Sequence, residues 1–153
     1  MKGLDVSRQI NANATQVWSV ITNLDGAAEH LSGVKSLERI SGPEFGVGTR
    51  WRETRKMFGK EATEKMEVAS VTPGQAYTVL AESHGSKYHS QLRVKASGGD
   101  ASVLTMSFNA EPQSFGAKVM GTLLGPLARS ATKKAITQDL ADIAAAAEAL
   151  PAD

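Results

Sequence analysis

A chain of 153 residues with 41% hydrophobic and 22% charged residues has the balance of one globular domain, and a formal net charge of +1 gives it no bias toward nucleic acid or another polyion. The absence of cysteine excludes disulfides, thiolate metal sites and cysteine nucleophiles. Asp5 interrupts the apolar stretch a secretion signal needs, and the longest apolar run, Val119 to Ala128, is too short to span a bilayer, so a cytoplasmic single domain over 1–153 with no transmembrane segment is expected.

Leu4, Val6 and Ile10 alternate with polar residues, Arg8 apart, and predict a strand with one buried face. Asn13 can cap the helix that follows, with Gln16 completing a capping box, and Val17, Trp18, Ile21 and Leu24 recur at helical spacing up to about Asn23. A helical turn over 27–31 leads to Gly33 and a weak edge strand from Val34 to Ile40. The glycine-rich stretch 42–48 reads as a turn before a strand, either a mobile lid with Phe45 as its apolar tip or an ordinary loop.

From Gly48 the alternation is clear. Taking Gly59-Lys60 as a two-residue turn pairs Trp51 with Val68, Glu53 with Met66, Arg55 with Glu64 and Met57 with Ala62 on an inward face, and leaves Arg50, Arg52, Lys56, Lys65 and Glu67 outward. After the turn at Thr72-Pro73-Gly74, a second one at Gly85-Ser86 sets Tyr77 against Val94, Val79 against Leu92, Ala81 against Ser90 and Ser83 against Tyr88. Lys87, His89, Gln91, Arg93 and Lys95 then face out. Gly98-Gly99-Asp100 is read as a three-residue turn, because an odd count brings Leu104, Met106 and Phe108 to the side of Leu92 and Val94.

The last segment, Ser114 to Leu150, carries Phe115, Val119, Leu123, Leu127, Ala131, Ile136, Leu140, Ile143 and Ala147 near helical spacing, with Lys133, Lys134, Asp139 and Asp142 off that stripe. One long helix covers the sheet. Pro126 predicts a kink or break near Gly125, and with it a looser first half able to act as a gate.

The chain is thus α+β, and it resembles the START-like (SRPBCC) superfamily of polyketide cyclase, dehydrase and lipid-transport domains. The resemblance covers nearly the whole chain and rests on Asn13-Ala14-Thr15-Gln16-Val17-Trp18 opening the first helix, on Gly48-Thr49-Arg50-Trp51 opening a long strand, and on the order of elements. It implies a helix-grip fold, in which a curved antiparallel sheet wraps a long C-terminal helix and two short helices follow the first strand. It also implies a cavity for a small hydrophobic or amphipathic molecule, without implying which molecule or any reaction.

The candidate ligand-binding residues follow from the faces. Trp51, Met66, Val79, Tyr88, Leu92 and Phe108 line the sheet side, with Tyr77 among the aromatic candidates, and Phe115, Met120, Leu123 and Leu127 line the helix side. Each is equally at home as core. Glu53, Arg55 and Glu64 are charges on an otherwise apolar face, and such groups need partners or water. They are expected to line a wet pocket, to form a cross-strand ion pair near its rim, or to be turned to solvent by a bulge in the strand.

His30, His84 and His89 lack metal-ligand spacing, and no nucleophile elbow or phosphate loop is present, so neither a metal nor a cofactor is expected. His84, at a turn, and His89, on the outward face, are expected to be solvated. The leading reading is a binding protein for a small apolar or amphipathic ligand. A cyclase or dehydratase using Glu53 or Glu64 as acid or base with Arg55 stabilising an enolate is the first rival, and a co-chaperone-like protein-interaction module the second. Ligand identity and oligomeric state stay open.

Overall fold

Strand β1 (Leu4–Ile10) leads into helix α1 (Ala14–Ile21), a 3-10 turn (Leu24–Gly26) and α2 (Ala27–His30). Strands β2 (Val34–Arg39), β3 (Arg50–Met57), β4 (Lys60–Thr72), β5 (Ala76–Ser83), β6 (Ser86–Gly98) and β7 (Ala101–Pro112) follow, and then α3 (Phe115–Glu148). The computed structural model describes residues 3–41, 44–57, 60–83, 86–112 and 115–151, with 57, 60, 83, 86, 111, 112 and 115–128 described by backbone alone. Among the described residues, the strands form one antiparallel sheet in the order β1-β7-β6-β5-β4-β3-β2.

Asn13 accepts from the Gln16 backbone N–H at 2.8 Å while the Gln16 side chain accepts from that of Asn13 at 2.9 Å, the reciprocal cap the sequence predicts. Such a cap contributes about 1 kcal/mol. The Gln16 amide also donates to the Pro151 carbonyl at 2.8 Å, and the Asn11 N–H donates to Glu148 at 2.9 Å, so the start of α1 is tied to the end of α3.

Two hairpin registers differ from expectation. The ladders close on Met57↔Lys60 and Ser83↔Ser86, so that Trp51 faces Met66, Glu53 faces Glu64, Arg55 faces Ala62, Val79 faces Ser90 and Tyr77 faces Leu92. Each shift is two residues in pairing and therefore leaves every side chain on its predicted face. Glycine can serve either position of a two-residue turn, which is why sequence alone admitted both registers. Arg55 and Glu64 are consequently not cross-strand partners.

The β6–β7 register is as expected, with Leu92↔Met106 and Val94↔Leu104. The odd residue is absorbed as a bulge between Ala96 and Gly98, where Gly98 and Gly99 take φ of 104° and 58°.

Ile10, Val17, Val68, Leu104 and Leu140 are fully buried, and Ile136, Ile143, Ala144 and Ala147 of α3 join them in one cluster with α1. Burying each large side chain contributes roughly 1.5–3 kcal/mol. α3 runs unbroken through Gly125 and Pro126, contrary to the expected break. The proline forfeits one backbone hydrogen bond there, and the turns on both sides carry the helix across. Among the described residues, no helix is long and apolar enough to cross a membrane.

Candidate functional site

On β4, β6 and β7 the inward face is buried at one end and half-buried at the other, whereas Val79 and Ala81 of β5 and Glu53 of β3 stay buried. Trp51, Val68, Tyr77, Val94 and Leu104 are buried beneath α1 and the second half of α3. Two residues further along, Met66, Leu92 and Met106 are only half-buried, and beyond them so are Glu64, Tyr88, Ser90, Phe108 and Ala110. Successive inward residues of one strand stand about 7 Å apart, so this decline spans roughly 13 Å. Met66, Leu92, Met106 and Phe108 touch the core cluster on one side only in the sense that they pack against it while keeping exposed surface. Tyr88 and Phe108 stack at 5.7 Å with planes 24° apart.

The polar part of this face is built on β3, where residues two apart share a side. Trp51 Nε1 donates to Glu53 Oε1 at 3.4 Å, and Arg55 Nε donates to Glu53 Oε2 at 2.6 Å. The other edge of the guanidinium makes a bidentate bond to Asp139 of α3, with Nη1 to Oδ1 at 3.1 Å and Nη2 to Oδ2 at 2.8 Å. Glu53 and Asp139 are both 7% exposed. One cation therefore sits between two buried carboxylates, and Glu64 stands opposite Glu53 on the same face.

Burial works to lower the Arg55 pKa, but the charges of Glu53 and Asp139 outweigh it and raise it, so the guanidinium stays charged. Burial pushes the Asp139 carboxyl up and the charge and hydrogen bonds of Arg55 pull it down, and with the charges of Glu53 and Asp142 nearby the net result is a rise. The Tyr77 phenol is likewise pushed up, first by burial and then by the Glu53 charge. Its hydroxyl donates to the Ile21 carbonyl at 2.7 Å, so it is part of the core rather than a group that could orient a ligand.

Gly33 lets the guanidinium pass: a Cβ there would lie 3.1 Å from Arg55 Nη1. The neighbouring Ser32 gives its backbone N–H and hydroxyl to Asp142 Oδ2 at 2.9 and 2.8 Å, while Gln138 Nε2 donates to Oδ1 at 2.9 Å. Burial, the largest single influence on Asp142, pushes its carboxyl up, but these bonds and the Arg55 charge together outweigh it and hold the carboxyl below the usual range. The turn before β2 is thus strapped to α3 through Asp142, one helical turn from Asp139.

Phe45 is folded inward, edge-on to Tyr77 at 4.7 Å, and Thr49 Oγ1 pins its loop by accepting from the Gly46 N–H and donating to the Glu44 carbonyl. The exposed apolar residue of this loop is Val47, at 69%, so Phe45 is not its tip. His89 is half-buried rather than solvated. Trp51 and Val79 lie in the buried cluster, whereas Met66, Tyr88, Leu92 and Phe108 are at the half-buried end. The side chains of Phe115, Met120, Leu123 and Leu127, and the whole of His84, lie outside the described residues. Asp139 was expected off the packed stripe and is instead buried in it. Its spacing from Ile136 and Ile143, three and four residues away, marked it as sharing their face.

Among the described residues no group of three or more His, Asp or Glu is placed to hold a metal ion. A shallow open groove over Ser130, Lys133, Lys134, Thr137, Gln138 and Ala141 runs along the exposed face of α3.

A seven-stranded antiparallel sheet with two short helices after its first strand and a long helix at its end defines a helix-grip protein. The chain belongs to the polyketide cyclase/dehydrase and lipid transport family, whose model matches residues 1–148. Among solved structures it is similar to a Thermus thermophilus protein at 18% identity and a TM-score of 0.81, over 97% of this chain and 98% of that one. It is also similar to the Zhui aromatase/cyclase of a Streptomyces species, at 13% identity and a TM-score of 0.82 over 96% and 93% of the two chains. Norcoclaurine synthase of Thalictrum flavum, at 22% identity, has a TM-score of 0.63 over 92% and 87%. At these identities the likeness concerns the fold. No curated protein sequence matches the chain.

Proposed function

We propose that this protein binds a small apolar or amphipathic molecule between the inward face of its sheet and α3, as a cytoplasmic carrier or receptor. The observation that carries the reading is the decline in burial along neighbouring strands, from Leu104 and Val94 to Phe108 and Tyr88, on the face that packs against helices. An empty apolar cavity costs about 24 cal/mol per Å³, so a dry pocket of ~300 Å³ would cost about 7 kcal/mol. That is comparable with the stability of a whole domain, and water or a ligand has to fill such a space. Met66, Val79, Tyr88, Leu92 and Phe108 form its sheet wall with Trp51 at the base, and Glu53, Arg55 and Glu64 its polar end. Phe115, Met120, Leu123 and Leu127 are assigned to the helix wall. The solved norcoclaurine synthase is a complex with dopamine and hydroxybenzaldehyde, small ring compounds of the size this reading calls for.

A cyclase-type reaction is the second reading, and the cross-strand placement of Glu53 and Glu64 on the inward face is what favours it, since paired carboxylates can divide acid and base roles. Against it, the guanidinium that would stabilise an enolate is already bonded to two carboxylates. Native mass spectrometry of freshly purified protein, paired with titration of the neutral dye Nile red, tests the binding reading. A retained small molecule or saturable dye binding is expected, with affinity falling about tenfold or more in a folded Leu92→Trp variant that fills the space. Dye binding that is unsaturable, or unchanged in that variant, would refute it. A pH-rate profile on a polyketide-like substrate separates the enzyme from the binder.

A further inference from the structure

We infer that the outer edge of β1 is a docking site for an acidic, extended segment of another protein, which adds to the sheet as a further strand. The inference is independent of the ligand reading. β1 ends the sheet and pairs with β7 on one side only. Among the described residues, no backbone group from Leu4 to Ile10 has a hydrogen bond outside that ladder, so the N–H and C=O groups along its other side have no partner in the protein. Ser7, Arg8 and Gln9 are exposed in succession. Successive side chains of a strand point to opposite faces, so the middle of β1 is open on both, although Leu4 and Ile10 are buried at its ends.

Charge selects the occupant. α3 runs beside β1 in the same direction, since Arg129 donates to the Gly3 carbonyl at 3.2 Å and Glu148 accepts from the Asn11 N–H at 2.9 Å. Lys133 lies one helical turn beyond Arg129 on the same side of α3, with Lys134 next to it, and both are exposed. An open groove over Ser130, Lys133 and Thr137 leaves room for side chains there. Among the described residues, Arg8, Lys133 and Lys134 have no carboxylate partner. The described acids of the two elements are turned away or committed. Asp5 lies on the opposite face of β1 from Arg8, Asp139 is held by Arg55, Asp142 by Ser32 and Gln138, and Glu148 by Asn11. A second copy of β1 paired antiparallel about Ser7 would set Arg8 diagonally against its own counterpart, and like charges across a strand pair repel. A strand with carboxylates on that face meets the same cations as opposite charges. No large apolar side chain is exposed on β1 or on the described side chains of α3, so the surface suits a polar strand rather than a membrane.

Fluorescence polarisation with a short, capped, fluorescein-labelled peptide of alternating glutamate and threonine tests this, because alternation sets every glutamate on one face. Saturable binding is expected, about tenfold or more tighter than for the lysine–threonine counterpart and weaker at high salt. Of two forms N-methylated at alternate residues, the one that loses the donors facing β1 should fail while the other binds. Arg8→Glu and Lys133→Glu should each weaken binding about tenfold. Circular dichroism confirms that each is folded, and Lys133→Glu, at an exposed helix position, carries the test if Arg8→Glu is not. The absence of saturable binding, equal binding of the two N-methylated forms, or an unchanged affinity in Lys133→Glu would overturn the inference. So would displacement of the peptide by phosphatidylserine vesicles, which would assign the cations to a membrane surface. A dimer in sedimentation that the peptide dissociates would likewise overturn it, by assigning the edge to a second copy.

Discussion

Removing Arg55 should destabilise the protein more than removing an acid it holds. In Arg55→Met, Glu53 and Asp139 keep about a tenth of their side chains exposed and lose the cation between them. Stranding buried charge in this way costs about 3–5 kcal/mol. The guanidinium side chain is itself 21% exposed, so some water reaches the site and the lower end, about 3 kcal/mol, is expected. Asp139→Asn keeps the shape and leaves one guanidinium facing one carboxylate, a balanced pair. It loses one of the two hydrogen bonds outright, because the amide NH2 cannot accept from Arg55, and the charge assistance in the other, about 2 kcal/mol in all.

Acidification separates the two variants further. With Arg55 gone, nothing holds the Asp139 carboxyl down against burial, so its folded pKa lies still further above the unfolded one and the folded state binds that proton more tightly. Its deficit should therefore shrink as pH falls from about 7 to about 4.5. Urea unfolding across that range gives the free energies. Thermal unfolding gives a check, since 1 kcal/mol moves the midpoint by about 2–4 °C in a domain of this size. Asp139→Asn costing as much as Arg55→Met at neutral pH, or a deficit of Arg55→Met that grows on acidification, would refute the reasoning.

Asp142 should show the opposite pH trend from a buried acid. Its carboxyl is held below the usual range, so it stabilises the fold above the unfolded pKa and loses that contribution as pH falls through its own lower value. Asp142→Asn should cost about 0.5–1 kcal/mol at neutral pH and progressively less as pH falls below the unfolded carboxyl range, and a pH-independent difference in urea unfolding would contradict the assignment. Leu104→Ala, at a fully buried site, should cost about 3 kcal/mol, whereas Leu92→Ala at the half-buried level should cost about 1 kcal/mol and weaken Nile red binding instead. Equal costs in equilibrium unfolding would remove the burial gradient as an energetic fact. Gly74 has a φ of 75° with open space around its missing Cβ, so Gly74→Ala should cost about 1 kcal/mol through backbone strain alone. Gly74→Asn should cost less, and the reverse order of melting temperatures would show that contacts decide there.

The faces of the strands were legible in the sequence because alternation has a period of two, and the register errors at Met57↔Lys60 and Ser83↔Ser86 were of that same size. Glu53 and Arg55 were accordingly placed inward without error, while the partner of Arg55 was not. A cross-strand partner depends on which residue of a turn the glycine occupies, and Glu64 moved opposite Glu53 when the turn moved. Asp139 was hidden for a different reason. Acids on an amphipathic helix are read as solvated by default, and burial of this one requires a cation reaching from another element 84 residues away in sequence. Nothing local to α3 announces that cation. The continuity of α3 through Pro126 was hidden in a third way, since the propensity of one residue is outweighed by the cooperativity of the turns flanking it.

Stability and binding are divided along the same strands, and the Arg55 cluster lies where they meet. At one end α1 and the second half of α3 cover Leu104, Val68 and Val94 completely, and this packing carries the hydrophobic free energy of folding. About 13 Å further along β7, at Phe108, that cover has become partial. The bidentate bond from Arg55 to Asp139 crosses from β3 to α3, and the Ser32–Asp142 strap crosses from the turn before β2 to the same part of the helix. Ion pairs of this kind add little net stability after desolvation, but they resist sliding of one element past another because two hydrogen bonds break at once. The cluster therefore sets the separation of helix and sheet more than it sets the free energy of folding. A substitution that loosens it without unfolding the protein should widen the range of ligands accepted, whereas one among Leu104, Val68 and Val94 should lower stability and leave ligand preference unchanged.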